Sequence, residues 1–310
     1  MDEFSFIEYL RKKATRSSRV LIGIGDDAAV LSVAKNKRLI VSSDVIVENV
    51  DFKLKTLSPE KIGRKALAVN LSDMAAMGAL PTSFVINIGK PSYVTTLWLK
   101  RFYKGLFALA KQFGVVCVGG DFSKSKEFFA SVTIFGEASP DRIVKRSGAK
   151  PGDWIAVTGA LGGSLLRHHH EFTPRVREGL FLAQNARLGA MIDISDGLVQ
   201  DLFHILKSSK VGAVLDLDGI PVSHDAKTMS CGHEAKALRR ALSDGEDFEI
   251  LFTVTNANRM KIQRQWRKKF PGTPLSWIGR IEKGTPGISW RRNGKPAAGL
   301  ELSQKGFSHF

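Results

Sequence analysis

The sequence predicts an α/β (α+β) chain built as two domains. Strand-like and helix-like stretches alternate through both halves. A turn-rich polar segment, SPDRIVKRSGAKPGDW, separates them, and 310 residues are enough for two domains or one large one. The expected division is an N-terminal α/β domain over 1–138 and a C-terminal α/β domain over 139–310.

The N-terminal MDEFSFIEYLRKKATRSSRV reads as a short amphipathic helix behind an acidic start, without the basic and apolar regions of a signal peptide. VLIGIG, AAVLSV and RLIVSSDVIVENV are rich in Val and Ile and punctuated by Gly, Asp and Ser, which marks strands. The period then changes at LSPEKIGRKALAVNLSDMAAMGA: Ser58 suits an N-cap, Pro59 the first helical position and Gly78 the residue past the end. SFVINIGKP predicts a strand, YVTTLWLKRFYKGLFALAKQFG a helix ending at Gly114, VVCVGGD a short buried strand entering a Gly-Gly turn, and EFFASVTIFGEA another strand. In the second half come strand WIAVTG, the turn GALGGS, helices to about Leu188, a strand-to-helix transition in AMIDISDGLVQDLFHILKSS, and strand VGAVLDLD. A basic helical segment, the turn and strand LSDGEDFEILFTV, helix ANRMKIQRQWRKKF and strands LSWIGRIE and GISWRRNG complete it.

Net charge is +16, but the basic residues are scattered through RKKATRSSR, KNKR, KKF and RRNGK without interleaved aromatics that would stack bases. A solvated basic surface that also attracts small polyanions fits better than a nucleic-acid-binding module. No apolar run reaches membrane-spanning length. The two cysteines, Cys117 and Cys231, lie far apart in apolar or neutral surroundings, as reduced thiols of a cytoplasmic protein do.

The acids carry more information. From Ala66 to Met77 the only full charge is Asp73, and a carboxylate among Ala, Leu, Val and Met is costly to desolvate without a cation or several donors. Asn70, three residues earlier, shares its helix face. Asp44 interrupts a strand, Asp26 and Asp27 follow one, Asp121 ends one, and Asp193 and Asp196 flank Ser195 where a strand meets a helix. Taken singly, capping and turn roles account for all but Asp44 and Asp73. Taken together, converging carboxylates would repel one another unless divalent cations intervened, and hard oxygen donors select Mg²⁺ or Mn²⁺. That chemistry points to phosphoryl transfer, with Arg146 a candidate phosphate contact. Three consecutive histidines, His168–His170, cannot share one helix face and read as an exposed helix end. TGALGGS lacks the Lys-Ser/Thr of a P-loop.

Read as a set, GIGDDAAVL, VSSDV, KALAVNLSDMAAMGA, VGGDFS, KRSGAKPGDWIAVTGALGGS, MIDISDGLVQDL, LSDGEDFEILF and the closing KGFSHF resemble the thiamine-monophosphate kinase family in order and near its spacing. The resemblance implies an aminoimidazole ribonucleotide synthetase-like fold, a homodimer whose N-terminal strands pair across the interface, and ATP-dependent phosphorylation of thiamine monophosphate to thiamine diphosphate with several Mg²⁺ ions. It implies metal ligands at Asp27, Ser42, Ser43, Asp44, Asp73, Asp121, Asp193 and Asp196. ATP contacts are implied at Tyr103, Gly120, Asp121, Arg146 and Ser195, and substrate contacts at Asp51, Glu246 and Phe307. It implies in-line transfer with no covalent protein nucleophile, the acids Asp44, Asp73, Asp121 and Asp193 acting through metal. The chain departs from the family pattern at Asp244, usually Gly, at Phe122, usually a small hydroxyl residue, and in a shortened stretch between Ser164 and Pro174. Another ATP-using enzyme of the same superfamily, an inactive paralogue and a basic nucleic-acid-binding protein are the competing readings.

Overall fold

The structure, a computed structural model, describes residues 3–14, 17–22, 24 and 29–297. Its chain contacts divide into two units, one of Met1–Met74 with Ala79–Asp141, the other of Ala75–Gly78 with Arg142–Phe310. Asp26, Asp27 and Phe307 lie outside the described residues.

In the first unit, helix α1 (Glu3–Lys13) precedes a small antiparallel pair, β1 (Val20–Ile22) and β2 (Val30–Leu31). The alternating RLIVSSDVIV forms strand β3 (Arg38–Val47), with Ile46 buried on one face and Leu39, Val41 and Val45 exposed on the other. Helix α2 (Pro59–Ala76) starts as its caps require: the Ser58 hydroxyl accepts from the Lys61 amide at 3.4 Å, with Pro59 in the first turn. Strand β4 (Leu80–Lys90) leads to helix α3 (Thr96–Phe113), N-capped by Thr95 and stopped by Gly114 in the left-handed region. Leu99, Phe102, Tyr103, Leu106, Leu109 and Ala110 form its buried stripe. The two helices touch closely at glycines: a Cβ on Gly63 would sit 2.0 Å from the Phe102 carbonyl oxygen, and one on Gly105 2.0 Å from that of Glu60.

Strands β5 (Val116–Lys124) and β6 (Phe129–Ala138) complete a four-stranded sheet of order β3-β6-β4-β5. The expected Gly-Gly turn does not form. Gly119, Gly120 and Asp121 continue β5 in parallel pairing with Val85, Ile86 and Asn87. Gly120, at φ +149°, lies so near β4 that a Cβ would meet the Ile86 oxygen at 1.9 Å, so glycine here permits close strand approach and not chain reversal.

The second unit carries β7 (Trp154–Thr158), α4 (His168–Glu171), α5 (Val176–Asn185), β8 (Leu188–Asp193), α6 (Leu198–Ser209), β9 (Gly212–Asp216), α7 (His224–Met229) and α8 (Glu234–Ser243). Strand β10 (Ile250–Val254), helix α9 (Asn256–Lys269) and strands β11 (Leu275–Glu282), β12 (Ile288–Arg292) and β13 (Lys295–Pro296) follow. The seven strands order as β13-β12-β9-β11-β7-β10-β8. Every residue of β10 is buried, matching its unbroken ILFTV run between two antiparallel neighbours. Leu198, Leu202, Ile205 and Leu206 of α6 pack with Ile155, Val157, Ile192 and Leu251 into one core. Among the described residues no helix is long and apolar enough to cross a membrane.

Candidate active site

In the first unit, the polar face of α2 meets β3. Ser42 and Asp44, two apart on a strand, share a face, as do Asn70 and Asp73, three apart on a helix. The Ser42 hydroxyl donates to the Asp73 carboxylate, and the Asp44 amide donates to Asn70 Oδ1 at 3.2 Å. Asn70 is wholly buried and its amide group returns a bond to the Ala66 carbonyl at 3.1 Å, so its orientation is set from both ends. The result is a set of hard oxygen donors, Ser42, Asp44 and Asp73, on two regular elements. That donor chemistry fits Mg²⁺ or Mn²⁺ and does not fit a thiophilic metal.

The other expected residues of this unit stand elsewhere. Ser43 faces the opposite side of β3, where its hydroxyl lies 3.2 Å from the Val132 carbonyl and 2.9 Å from Thr133 Oγ1. Asp51 accepts from the Val47 amide at 2.7 Å, closing the turn that follows β3. Tyr103 is 2% exposed, enclosed by Phe6, Phe102, Phe107 and Phe122. Burial, with Cys117 adding, pushes its phenol well above the ordinary range. Phe122, the departure after Gly119-Gly120-Asp121, belongs to this ring cluster, 5.6 Å from Phe6. Gly120 and Asp121 are exposed on β5, the edge strand opposite β3. Pairing runs from Asp44 through Val132 and Ile86 to Gly120, which separates Asp44 from Asp121 by three strand spacings, about 14 Å. The expected gathering of Asp121 with Asp44 and Asp73 is therefore not made within one copy of this unit.

In the second unit, pairing between β8 and β10 continues past their ends. The Ile194 amide donates to the Glu249 carbonyl at 2.8 Å, Phe248 to Ile194 at 2.7 Å, and Glu246 to Ser195 at 2.7 Å. Asp193, Ser195, Asp196 and Glu246, spread over more than fifty positions of sequence, are brought together by this ladder. Asp201, 2% exposed, accepts the amides of Asp196 and Gly197 at 3.0 and 3.1 Å at the start of α6. Burial, then the charges of Asp193 and Asp196, push its carboxyl up to about 8. His204, one turn on, joins Asp196 and Asp201 with ligand atoms within 4.8 Å of one another. Its imidazole is pulled down by burial and by the charge of Arg146, which places the expected phosphate contact in electrostatic range of this cluster. Asp201 and His204 were not among the expected residues, although their i, i+3 spacing in SDGLVQDLFH puts them on one helix face.

The loop 244–249 is held from several sides. Gly162 donates its amide to Asp247 Oδ1 at 2.8 Å and Gly163 to Asp244 Oδ2 at 3.0 Å, so the turn GALGGS presents these amides to carboxylates of its own chain. Asp244 also accepts from Arg240 at 3.2 Å, which explains an acid where the family usually has Gly. Glu249 is fully engaged: Arg175 meets it bidentately at 2.7 and 2.5 Å, and the Thr158 hydroxyl donates at 2.5 Å. Burial pulls the Arg175 guanidinium down, but the hydrogen bonds and charge of Glu249 outweigh it and hold the group above its ordinary range. Glu246 and Phe248 both take left-handed backbone, at φ 62° and 49°, a conformation L-residues adopt under constraint.

The histidines correct an expectation. His168–His170 are not an exposed helix end: His170 is buried, and the other two are half-buried against the 244–249 loop. His168 Nε2 lies 2.9 Å from the Asp247 carbonyl oxygen and His169 Nδ1 3.6 Å from Glu246 Oε2. Phe172 stacks on Phe248 at 4.2 Å, and this apolar contact turns α4 inward.

The fold, with oxygen donors on α2 and β3 of the first unit, is that of the AIR synthase-related class; the family "AIR synthase related protein, N-terminal domain" matches residues 25–138. The chain is 38% identical to the thiamine-monophosphate kinase of Salmonella typhimurium strain LT2, over 99% of its own length and 98% of the relative's. The crystal structure of thiamine-monophosphate kinase from Stenotrophomonas maltophilia K279a superposes with a TM-score of 0.82 at 34% identity, covering 96% of this chain and 98% of that one. AaThiL complexed with AMPPCP and TMP gives a TM-score of 0.74 at 30% identity, over 99% of this chain and 97% of that one. The chain belongs to the thiamine-monophosphate kinase family and is an enzyme of that kind.

Proposed function

We propose that this protein transfers the γ-phosphoryl group of ATP to thiamine monophosphate, giving thiamine diphosphate and ADP by direct in-line displacement. The observation that carries the reading is the Ser42–Asp44–Asp73 arrangement on β3 and α2 in a chain alignable end to end with relatives of that name. The acceptor is a phosphate monoester with a second pKa near ~6, so it is largely ionised at neutral pH and needs no general base. The obstacle is repulsion between two anions, and the residues required are those that position phosphates and offset their charge.

In this reading Asp44 and Asp73, with Ser42, hold magnesium on the first unit, and Asp193 and Asp196 hold it on the second. Asp27, Asp121 and Ser43, the last from the opposite face of β3, complete the assigned ligand set. Magnesium, when bound, neutralises phosphate oxygens and lowers the barrier to transfer. Asn70 fixes the strand backbone at Asp44. Gly120, Asp121, Arg146, Ser195 and Tyr103 are assigned to ATP, and Asp51, Glu246 and Phe307 to thiamine monophosphate. The reaction is assigned to the cytoplasm, in keeping with two free thiols. The test is ADP release from ATP with purified protein. Release is expected to require both thiamine monophosphate and Mg²⁺, with little turnover of thiamine. Release independent of thiamine monophosphate would refute the assignment.

The separation of Asp44 from Asp121 supports a homodimer as the working form. Among the described residues β3 is one edge of the sheet, with Leu39, Val41 and Val45 exposed, and β5 is the other edge, carrying Asp121. Pairing β3 of one copy with β5 of a second brings Asp44 toward Asp121 of the partner subunit. Mixing inactive Asp44→Asn and Asp121→Asn proteins under subunit exchange then restores about a quarter of parental activity, because half the dimers are mixed and each has one intact site. No restoration would show that both acids act within one copy.

A further inference from the structure

The three consecutive histidines sit where the chain departs from the family pattern, and the contacts they make are specific. His169 Nδ1 faces Glu246 Oε2 at 3.6 Å, His169 Nε2 lies 3.0 Å from His170 Nδ1, and His170 Nε2 faces Glu171 Oε1 at 3.6 Å. The sequence of groups is carboxylate, imidazole, imidazole, carboxylate. Two imidazole nitrogens 3.0 Å apart share one proton, since a proton on each would set two N–H groups against each other. The two outer nitrogens, His169 Nδ1 and His170 Nε2, are left facing the two carboxylates.

The backbone gives this arrangement a purpose. Glu246 is pinned at its amide by Ser195 and holds left-handed φ, and His168 grips the next carbonyl, that of Asp247, at 2.9 Å. The main chain of the loop is therefore fixed, while the Glu246 side chain, 25% exposed, projects from it. His169, with its side chain only 13% exposed, is the imidazole beside that carboxylate.

We propose that His169, backed by His170, is a positioning residue for Glu246, setting where its carboxylate stands for the organic part of the phosphate acceptor. This rests on the assignment of Glu246 to thiamine monophosphate. His169 acts through Glu246 and does not itself touch the substrate, so its removal weakens acceptor binding and leaves ATP binding alone.

The experiment is a double-mutant cycle with steady-state kinetics in both substrates. His169→Ala is expected to raise KM for thiamine monophosphate about tenfold, with kcat and KM for ATP within twofold of the parent. In the Glu246→Gln background the same change is expected to add nothing further. His169→Asn, whose amide nitrogen falls near the position of Nδ1, is expected to recover most of the loss, which separates positioning from damage to the fold. Multiplying effects in the double variant, or an unchanged KM in His169→Ala, would overturn the proposal. A second readout is independent of the reaction: the ¹⁵N resonances of the His169 ring, compared at one fixed pH, are expected to move in Glu246→Gln. If the parent neither binds nor phosphorylates thiamine monophosphate, the functional assignment fails; if those resonances do not move, the pairing itself fails.

Discussion

The acids of α2 and β3 and the acids of the 244–249 loop use the same side chain to opposite ends. Asp44 and Asp73 sit on a strand and a helix, where the Asp44 amide is met by Asn70 and the Asp73 carboxylate accepts from the Ser42 hydroxyl. Asp244, Asp247 and Glu249 sit on irregular backbone and are occupied by their own chain, the first two accepting from the Gly163 and Gly162 amides and Glu249 from the Arg175 guanidinium. A carboxylate in a loop commonly accepts nearby amides, whereas one in the middle of a strand or helix has fewer of them within reach. The contrast predicts that replacing acids of the first kind harms chemistry, and replacing those of the second kind harms, or even helps, stability.

The sharpest way to break that contrast is Asp73→Asn or Asp44→Asn. Each is expected to lower transfer by three orders of magnitude, roughly 4 kcal/mol, with a melting temperature close to the parent's. Normal turnover in a folded Asp73→Asn protein would remove the distinction. Arg175→Ala tests the other kind of acid: it leaves Glu249 buried and unpaired, and a loss of about 3 to 5 kcal/mol in denaturant unfolding is expected. An unchanged midpoint would mean the pair is not part of the stability of this unit.

Asn70→Ala lies between the two. It strips the Asp44 amide of its acceptor in a buried place, with an expected cost of about 1 to 3 kcal/mol and a fall in activity larger than that loss of stability explains. Circular dichroism melts beside initial rates separate the two.

Asp247→Asn has the smallest effect and the clearest sign. Burial raises this carboxyl well above its ordinary range against the Gly162 amide bond, and Oδ2 is buried without a hydrogen-bond partner, as suits a neutral acid. A group whose folded-state pKa exceeds its unfolded value holds its proton more tightly when folded. Its contribution to stability is therefore present at low pH and is lost as pH rises from the usual carboxylate range through the raised value. Asn cannot ionise, so the variant's stability relative to the parent is expected to climb as pH rises above the usual carboxylate range. A flat difference above that range would show that Asp247 is ionised in the folded protein.

Much of the frame was legible before any coordinates. Ser58, Pro59 and Gly78 bracketed α2 and Gly114 marked the end of α3, because caps and helix stops are local chemistry written in adjacent residues. Asp44 and Asp73 stood out for the same reason, being charged residues where the local period demanded otherwise. The Gly-Gly turn failed because glycine permits two things, chain reversal and close approach, and only the position of β4 beside Gly120 selects the second. The histidines failed likewise: their turn toward Asp247 and Glu246 depends on a Phe172–Phe248 stack between residues 76 positions apart.

The sequence by itself determined the alternation of strands and helices, the ends of the long helices, and which acids had no local reason to be where they are. Those are short-range matters, governed by side-chain period, cap chemistry and the cost of charge among apolar neighbours. Tertiary structure alone decided that Ser42 meets Asp73, that β8 and β10 carry Asp193 and Glu246 to one place, and that Asp121 stands three strands from Asp44. Contacts across a sheet or between distant loops depend on strand order and register, and these follow from packing the whole core at once.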